Sequence, residues 1–284
     1  MSAVEHSYAP PHHVGGELSK LTAFLRRDFL TAWSYRMVFF TDAANLLVEA
    51  FMFTFLGKLI RPEQLPSFAG TRTNYIEFVA VGIVIGAFLQ IGLGRVAATI
   101  RQEQLMGTLD SLLLTPTKTA TLQLGGVMYD LLYIPARTVL FLLFLVVAFG
   151  ARFHTSGLLP SVVMMIAFIP LVWGLGILSA AGQLTFRRGS GGLNFAATVL
   201  VLGSGAFFPL TIMPHWFQSA ATWNPVARAM TGMRQTLIGG TGWSHLASDF
   251  ALVAPSGIVA LALGLWAFER ALKRERRRGT LGVY

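Results

Sequence analysis

Five polar residues lie within stretches that are otherwise apolar, and their spacing places them on common helix faces. Asp42, Asn45 and Glu49 follow one another at steps of three and four residues, so they share one face of a helix. Asp130 and Arg137 are seven residues apart and share a face of another helix. If these stretches cross a bilayer, each charge costs roughly 2.5–3.5 kcal/mol at its centre and needs a partner in the protein interior. The chemistry available is an ion pair, a proton relay or a polar contact along a transport path.

Two of these residues are expected to meet. Counting about 1.5 Å per residue from the inner membrane surface places Glu49 and Arg137 at similar depths. We therefore predict that they approach each other. Such a pair holds the first and third apolar stretches together or contributes to a substrate path, and the remaining alternative is that both side chains extend to the lipid head groups.

Catalytic and metal-binding patterns are missing from the sequence. There are no cysteines, His-Glu-x-x-His is absent, and Ser204 has no evident His or Lys partner. The phosphate-binding pattern Gly-x-x-x-x-Gly-Lys-Ser/Thr is also absent. We therefore expect no catalytic, cofactor-binding or metal-binding residues, and ATP chemistry, if it drives the protein, must reside in another chain.

The stretches that hold the polar residues are long enough to cross a membrane. Hydrophobic residues make up 54% of the 284-residue chain and charged residues 12%, with a mean hydropathy of +0.60, whereas soluble proteins carry roughly 25% charged residues. Windows of the length that a spanning helix needs occur at 37–59, 74–94, 127–150, 158–181, 193–213 and 250–268. Because backbone groups in hydrocarbon must be satisfied within each segment, this predicts an all-α membrane protein with six transmembrane helices in one domain, 37–268.

The basic residues favour cytoplasmic placement of both termini. With the N-terminus inside, most Lys and Arg residues fall in the inside segments, as the positive-inside rule expects. Residues 1–17 are predicted to be a disordered cytoplasmic tail and 269–284 a basic cytoplasmic tail that contacts anionic lipid. The net charge of +9 therefore reflects membrane topology rather than binding of nucleic acid.

Three shorter elements accompany the spans. Apolar residues recur at helical spacing in 18–36, which predicts an interfacial amphipathic helix. A second amphipathic stretch, 95–116, carries Arg101, Glu103 and Asp110 on its polar side. The segment 214–248 is apolar but broken by proline and glycine, which predicts re-entrant short helices before the last span.

Two of these segments carry a family resemblance. The motif after the second span resembles the signature of type-2 ABC-exporter permeases and reads Glu103-x-x-x-Gly107-Thr108-Leu109-Asp110-x-x-Leu113-x-Thr115-Pro116. The segment after the fifth span is similar to the same family's and contains Phe208-Pro209, Pro214, Asn224-Pro225 and Arg234-x-x-Leu237-x-Gly239. The resemblance covers about residues 18–270.

The resemblance implies a permease that pairs with a second permease copy and two ABC ATPase subunits. A homodimer is favoured over a heterodimer, and ATP and Mg are expected to bind the partner ATPase. The segment 95–116 would be the cytoplasmic coupling helix that docks on the ATPase, and its expected coupling residues are Arg101, Glu103, Gly107, Thr108, Leu109 and Asp110. The implied function is export of an amphipathic, lipid-linked, glycan or drug-like substrate across the cytoplasmic (inner) membrane of a prokaryote.

The residues themselves leave some alternatives open. Five aromatic residues line an exit path or serve as interface anchors and core, namely Phe207, Phe208, Trp216, Phe217 and Trp223. Gly82 and Gly86 pack helices within one subunit or form a dimer seam. Two other functions are a proton-coupled secondary carrier that uses Asp42, Glu49 and Asp130, and a non-transporting membrane scaffold.

Overall fold

The described part of the chain is an all-helical bundle. The computed structural model describes residues 16–59, 65–71, 73–105, 119–186, 190–243 and 246–278, which are helical apart from turns, loops and one bridge between Phe68 and Thr71. In these ranges the α-helices are α1 (Glu17–Ser34), α2 (Arg36–Gly57), α3 (Tyr75–Leu105), α4 (Thr119–Phe149), α5 (Leu158–Phe186), α6 (Ser190–Leu202), α7 (His215–Ala221), α8 (Pro225–Leu237) and α9 (Leu246–Arg278). Short 3-10 turns occupy Thr155–Gly157 and Leu210–Ile212.

One helix, α3, forms the centre of the bundle. In the described residues, α2, α3, α4, α5 and α9 are long and apolar enough to cross a membrane. Within these spans, 82% of the α3 window is buried, against 11% for α2 and 17% for α9. The outer helices therefore present apolar side chains to lipid or to a partner, because this surface would be costly in water.

The fifth predicted span, 193–213, is helical only in its first part. Its helix α6 has 13 residues and ends at Leu202, which gives a length of about 20 Å against the roughly 30 Å of a hydrocarbon core. Beyond α6 the chain turns through Gly205, whose φ of 72° lies in the left-handed region, and reaches Pro209. The six-span count is therefore not confirmed by the described residues.

The most extensive helix pairing joins α5 to α9. The two helices approach so closely that a side chain on Gly174 would collide with the backbone of Ala260 and Leu261. Small residues permit this approach, which supplies the van der Waals packing that holds membrane helices together. A second apolar cluster, including Ile177, Leu184 and Phe268, continues the same seam.

Two predicted boundaries differ from the observed helices. Residues 95–105 continue α3 without a break, so the predicted coupling helix does not begin as a separate element at 95. The rest of that prediction, 106–116, lies outside the described residues, as does most of the predicted tail 1–17. The basic tail predicted at 269–284 is helical as far as Arg278, because α9 runs through its first part, and 279–284 lie outside the described residues.

The predicted interfacial and re-entrant segments correspond to short helices. The interfacial prediction 18–36 matches α1, which leaves Phe29, Leu30 and Trp33 exposed and packs on α4 where Phe24 meets Gly125. The segment 214–248 contains α7 and α8. Helix α8 is largely buried and contacts α3, α5 and α9. Their location relative to a membrane stays a prediction.

Candidate functional site

A charged network joins α2 to α4. Arg137 of α4 donates from Nη2 to Asp42 Oδ1 at 2.7 Å, and its Nε lies 2.6 Å from Asp42 Oδ2. Tyr133, one helical turn before Arg137, donates to Asp42 Oδ2 at 2.8 Å. The guanidinium and the carboxylate are therefore joined by one charged hydrogen bond, from Nη2, and by a close contact at Nε that has no hydrogen-bond geometry.

The charge of Arg137 acts on Glu49, so the two residues approach each other as predicted, but Glu49 is not the direct ion-pair partner of Arg137. Asp42 occupies that role, two turns earlier on the same face of α2. Helix α4 is already helical at Thr119, before the predicted start of the third span at 127. Asp130 is buried in α4, whereas Asn45 is exposed.

Glu49 instead faces a cleft among α2, α3 and α6. The cleft has a volume of about 250 Å³. The residues that line it include Glu49, Ile83, Gly86, Gln90, Thr198 and Phe207. One half-buried carboxylate, an amide and a hydroxyl thus lie in a wall that is otherwise apolar. This composition suits a molecule with a polar group on a largely apolar body.

The five predicted exit aromatics do not form one surface. Phe207 lines the cleft and stacks on Phe53, with 5.1 Å between the ring centroids. Phe208, Trp216 and Trp223 are exposed, with 78% of Trp223 accessible, and Phe217 packs edge-on against Trp216. The structure therefore brings only Phe207 to the Glu49 cleft.

Two of the predicted coupling residues lie in the described part of α3. Arg101 and Glu103 belong to its last turns. Gly107, Thr108, Leu109 and Asp110 lie outside the described residues. The same helix lines the Glu49 cleft through Ile83, Gly86 and Gln90, so one rigid element connects the cleft with the first coupling residues.

A buried arginine, Arg234, joins α8 to two segments that lie next to residues of the cleft. Arg234 of α8 is 4% exposed and donates to the carbonyl oxygens of Phe78 and Ala206 at 3.1 and 3.0 Å. Its guanidinium also lies 3.6 Å from the centroid of the Phe78 ring. Burial lowers the pKa of Arg234 to about 9, which leaves it cationic at neutral pH. It ties α3 and the turn after α6 to α8.

Two signals in the sequence point to residues that were missed. Tyr133 precedes Arg137 by four residues, the spacing that places two side chains on one helix face. Arg234 stands in the motif that carried the family resemblance. Asn224, in the same motif, caps α8: its side chain accepts from the Val226 N–H at 2.9 Å and donates to the Leu200 carbonyl of α6.

Comparison with known families identifies the architecture. Residues 19–238 match the family described as ABC-2 type transporter, a range that runs from α1 to the end of α8. The chain belongs to this family. The ABC-2 type transporter is the transmembrane permease component rather than the ATPase, and the family implies association with an ABC ATPase. The chain is thus a multi-pass membrane protein. Comparison with curated proteins found no match to the chain.

Proposed function

We propose that this permease exports an amphipathic substrate, in the class of lipid-linked, glycan-bearing or drug-like molecules, outward across the cytoplasmic membrane of a prokaryote. The observation that carries the proposal is the Glu49 cleft, in which a carboxylate lies in an otherwise apolar wall between helices. A charged group is costly at membrane depth and is retained where it faces a path or a cavity. Phe207 and Ile83 then contact the apolar body of the substrate, and Glu49 contacts its hydroxyl or cationic groups.

One of the helices that line the cleft, α2, is left largely uncovered by the single chain. The exposed side chains of α2 include Phe40, Val48, Phe51, Met52 and Phe55. We infer that a second copy of the permease covers part of this face in a homodimer, which would enclose the cleft. This arrangement agrees with the low burial of the α2 span, 11%.

In this proposal, α3 transmits the motion of the ATPase to the cleft. Residues Arg101 to Asp110 contact the ATPase, and Glu103 and Asp110 meet basic residues in its groove. From Gln90 in the cleft to Glu103 the helix rises about 20 Å. A continuous helix transmits rigid-body displacement of its end to the residues that line the cleft. ATP and Mg bind the two ATPase copies, and both termini of the permease lie in the cytoplasm.

The test measures ATP turnover of the permease–ATPase complex reconstituted in liposomes. A panel of amphipathic compounds is screened for stimulation, and the half-maximal concentration of each active compound is determined for the wild type and Glu49→Gln. We expect Glu49→Gln to raise this concentration about tenfold, since a charged hydrogen bond contributes roughly 1.5–3 kcal/mol. The matched control is Glu269→Gln, an exposed carboxylate of α9.

Two results would contradict the proposal. One is equal stimulation of the wild type and Glu49→Gln by every active compound, which would show that the substrate does not bind in this cleft. The other is substrate movement driven by a proton gradient in liposomes without ATP, which would make the chain a secondary carrier.

A further inference from the structure

A stripe of cations follows an apolar stripe on the same face of α9. Arg270, Lys273, Arg274 and Arg277 recur at three- and four-residue steps and are all exposed. On the preceding turns of this face, the exposed apolar side chains are Val259, Leu263 and Trp266. The face therefore changes from apolar to cationic at Trp266, whose ring the Arg270 guanidinium covers at 4.8 Å.

The cationic part of this face borders a cavity of about 670 Å³. Thr185, near the end of α5, also lines the cavity, as do Ala267 and Ala271 of α9. Small side chains at these two positions leave the space between the helices open. The cavity is large enough for a phosphate-bearing head group.

The four cations outnumber the carboxylates on this stretch of α9, which are Glu269 and Glu275. Among the described residues, the structure pairs none of them with a carboxylate. Like charges at three- and four-residue spacing on a helix repel one another. A bound anion would relieve this repulsion and is therefore favoured at the cavity.

We propose that this cavity binds the head group of an anionic phospholipid. The phosphate lies among Arg270, Lys273, Arg274 and Arg277, and an acyl chain runs along Leu263 and Val259. The apolar stripe favours a lipid over a soluble anion, because a soluble phosphate has no apolar part that could contact it. Trp266 lies at the junction, where its ring suits the boundary between head groups and hydrocarbon.

The test uses the purified full-length chain in detergent, titrated with dioleoyl phosphatidylglycerol or dioleoyl phosphatidylcholine and analysed by native mass spectrometry. We expect the wild type to bind phosphatidylglycerol about tenfold more tightly than phosphatidylcholine. One variant, Arg274→Gln with Arg277→Gln, removes charge. The other, Ala267→Phe, fills the cavity and keeps every charge. Both are expected to lose this preference.

The matched control is Arg26→Gln with Arg27→Gln, which removes the same charge from exposed positions of α1. It should keep the preference within about twofold of the wild type. The proposal is overturned if the control loses the preference as strongly as the charge variant does. It is also overturned if the charge variant and Ala267→Phe, both folded, bind the two lipids as the wild type does. Displacement of phosphatidylglycerol by millimolar glycerol 3-phosphate would also overturn it, because the site would then be one for a soluble anion. If Ala267→Phe does not fold, as judged by size-exclusion chromatography, the charge variant decides alone.

Discussion

At the scale of single residues, the ion pair between Asp42 and Arg137 is the main polar link between α2 and α4. The side chains are 26% and 13% exposed, so each charge depends on the other for most of its solvation. Removal of one member leaves an uncompensated charge, which costs more than loss of the whole pair. Tyr133 reinforces the carboxylate and fixes its orientation.

We predict that Asp42→Asn and Arg137→Gln each lower stability by about 2 kcal/mol. The exchange Asp42→Arg with Arg137→Asp should recover part of that loss. The measurement is the Tm of the purified chain in detergent, with Glu49→Gln as the control that keeps the pair intact. Single variants with wild-type Tm would show that the pair does not stabilise the bundle.

Arg234 gives a second prediction at this scale. Lysine has the same charge but lacks the planar guanidinium that reaches two carbonyl groups and stacks on Phe78. Arg234→Lys should therefore lower stability by about 2–3 kcal/mol, read as a fall in Tm. Arg228→Lys on the same helix is the control, because Arg228 is 35% exposed and its loss should cost less. Equal Tm values for the two variants would contradict this account of Arg234.

At the scale of elements, α3 and the turn after α6 are held together by close backbone contact. A side chain on Gly82 would collide with the carbonyl of Ala206, the same group that accepts from Arg234. Gly86 meets only the Val201 side chain, at 3.6 Å from an added Cβ. Both glycines of this pair thus pack within one subunit, which agrees with the first of the two predicted roles.

This difference predicts that alanine lowers the stability of the bundle at one of these glycines and not at the other. Gly82→Ala should lower stability by about 1–3 kcal/mol, because the backbone of α3 or of the turn must shift. Gly86→Ala should leave stability unchanged within about 0.5 kcal/mol, since its neighbour is at ordinary contact distance. Thermal unfolding in detergent compares the two, and equal losses would mean that the close approach at Gly82 is not required.

The sequence predicted the helices better than it predicted where they begin and end. Composition located α2 and the start of α3 closely, since the predicted windows 37–59 and 74–94 overlap Arg36–Gly57 and the apolar part of Tyr75–Leu105. Apolar windows mark where hydrocarbon begins, and they do not mark where a helix begins or ends. For this reason α3, α4 and α9 extend past their windows.

The candidate site was likewise predictable in part. The residue types at the cleft were predictable, because Glu49 is a charge in an apolar window and Phe207 belongs to a recognisable segment. Its walls were not, because Gln90 and Thr198 lie far apart in sequence and meet only through packing of α3 and α6. The burial of Arg234 also depends on contacts with three separate segments.

At the scale of the whole molecule, the buried helix α3 is surrounded by helices that are less buried, such as α2 and α9. Helix α3 lines the cleft and continues to Arg101 and Glu103, so the site and the first coupling residues share one rigid element. The family is the transmembrane component rather than the ATPase, and it implies association with an ABC ATPase. We propose that the energy for transport arrives through contact with that partner. The central claim is that this contact lies at Arg101 to Asp110.

Site-specific cross-linking tests that claim most directly. The chain has no cysteines, so single substitutions need no altered background. Glu103→Cys and Asp110→Cys are compared with Trp216→Cys, an exposed control position on α7, in membranes that contain the ABC ATPase, using a short thiol-to-amine cross-linker. We expect cross-links to the ATPase from positions 103 and 110 and none from position 216. Cross-linking only from position 216, or from none of the three while the complex remains assembled and active, would contradict the account.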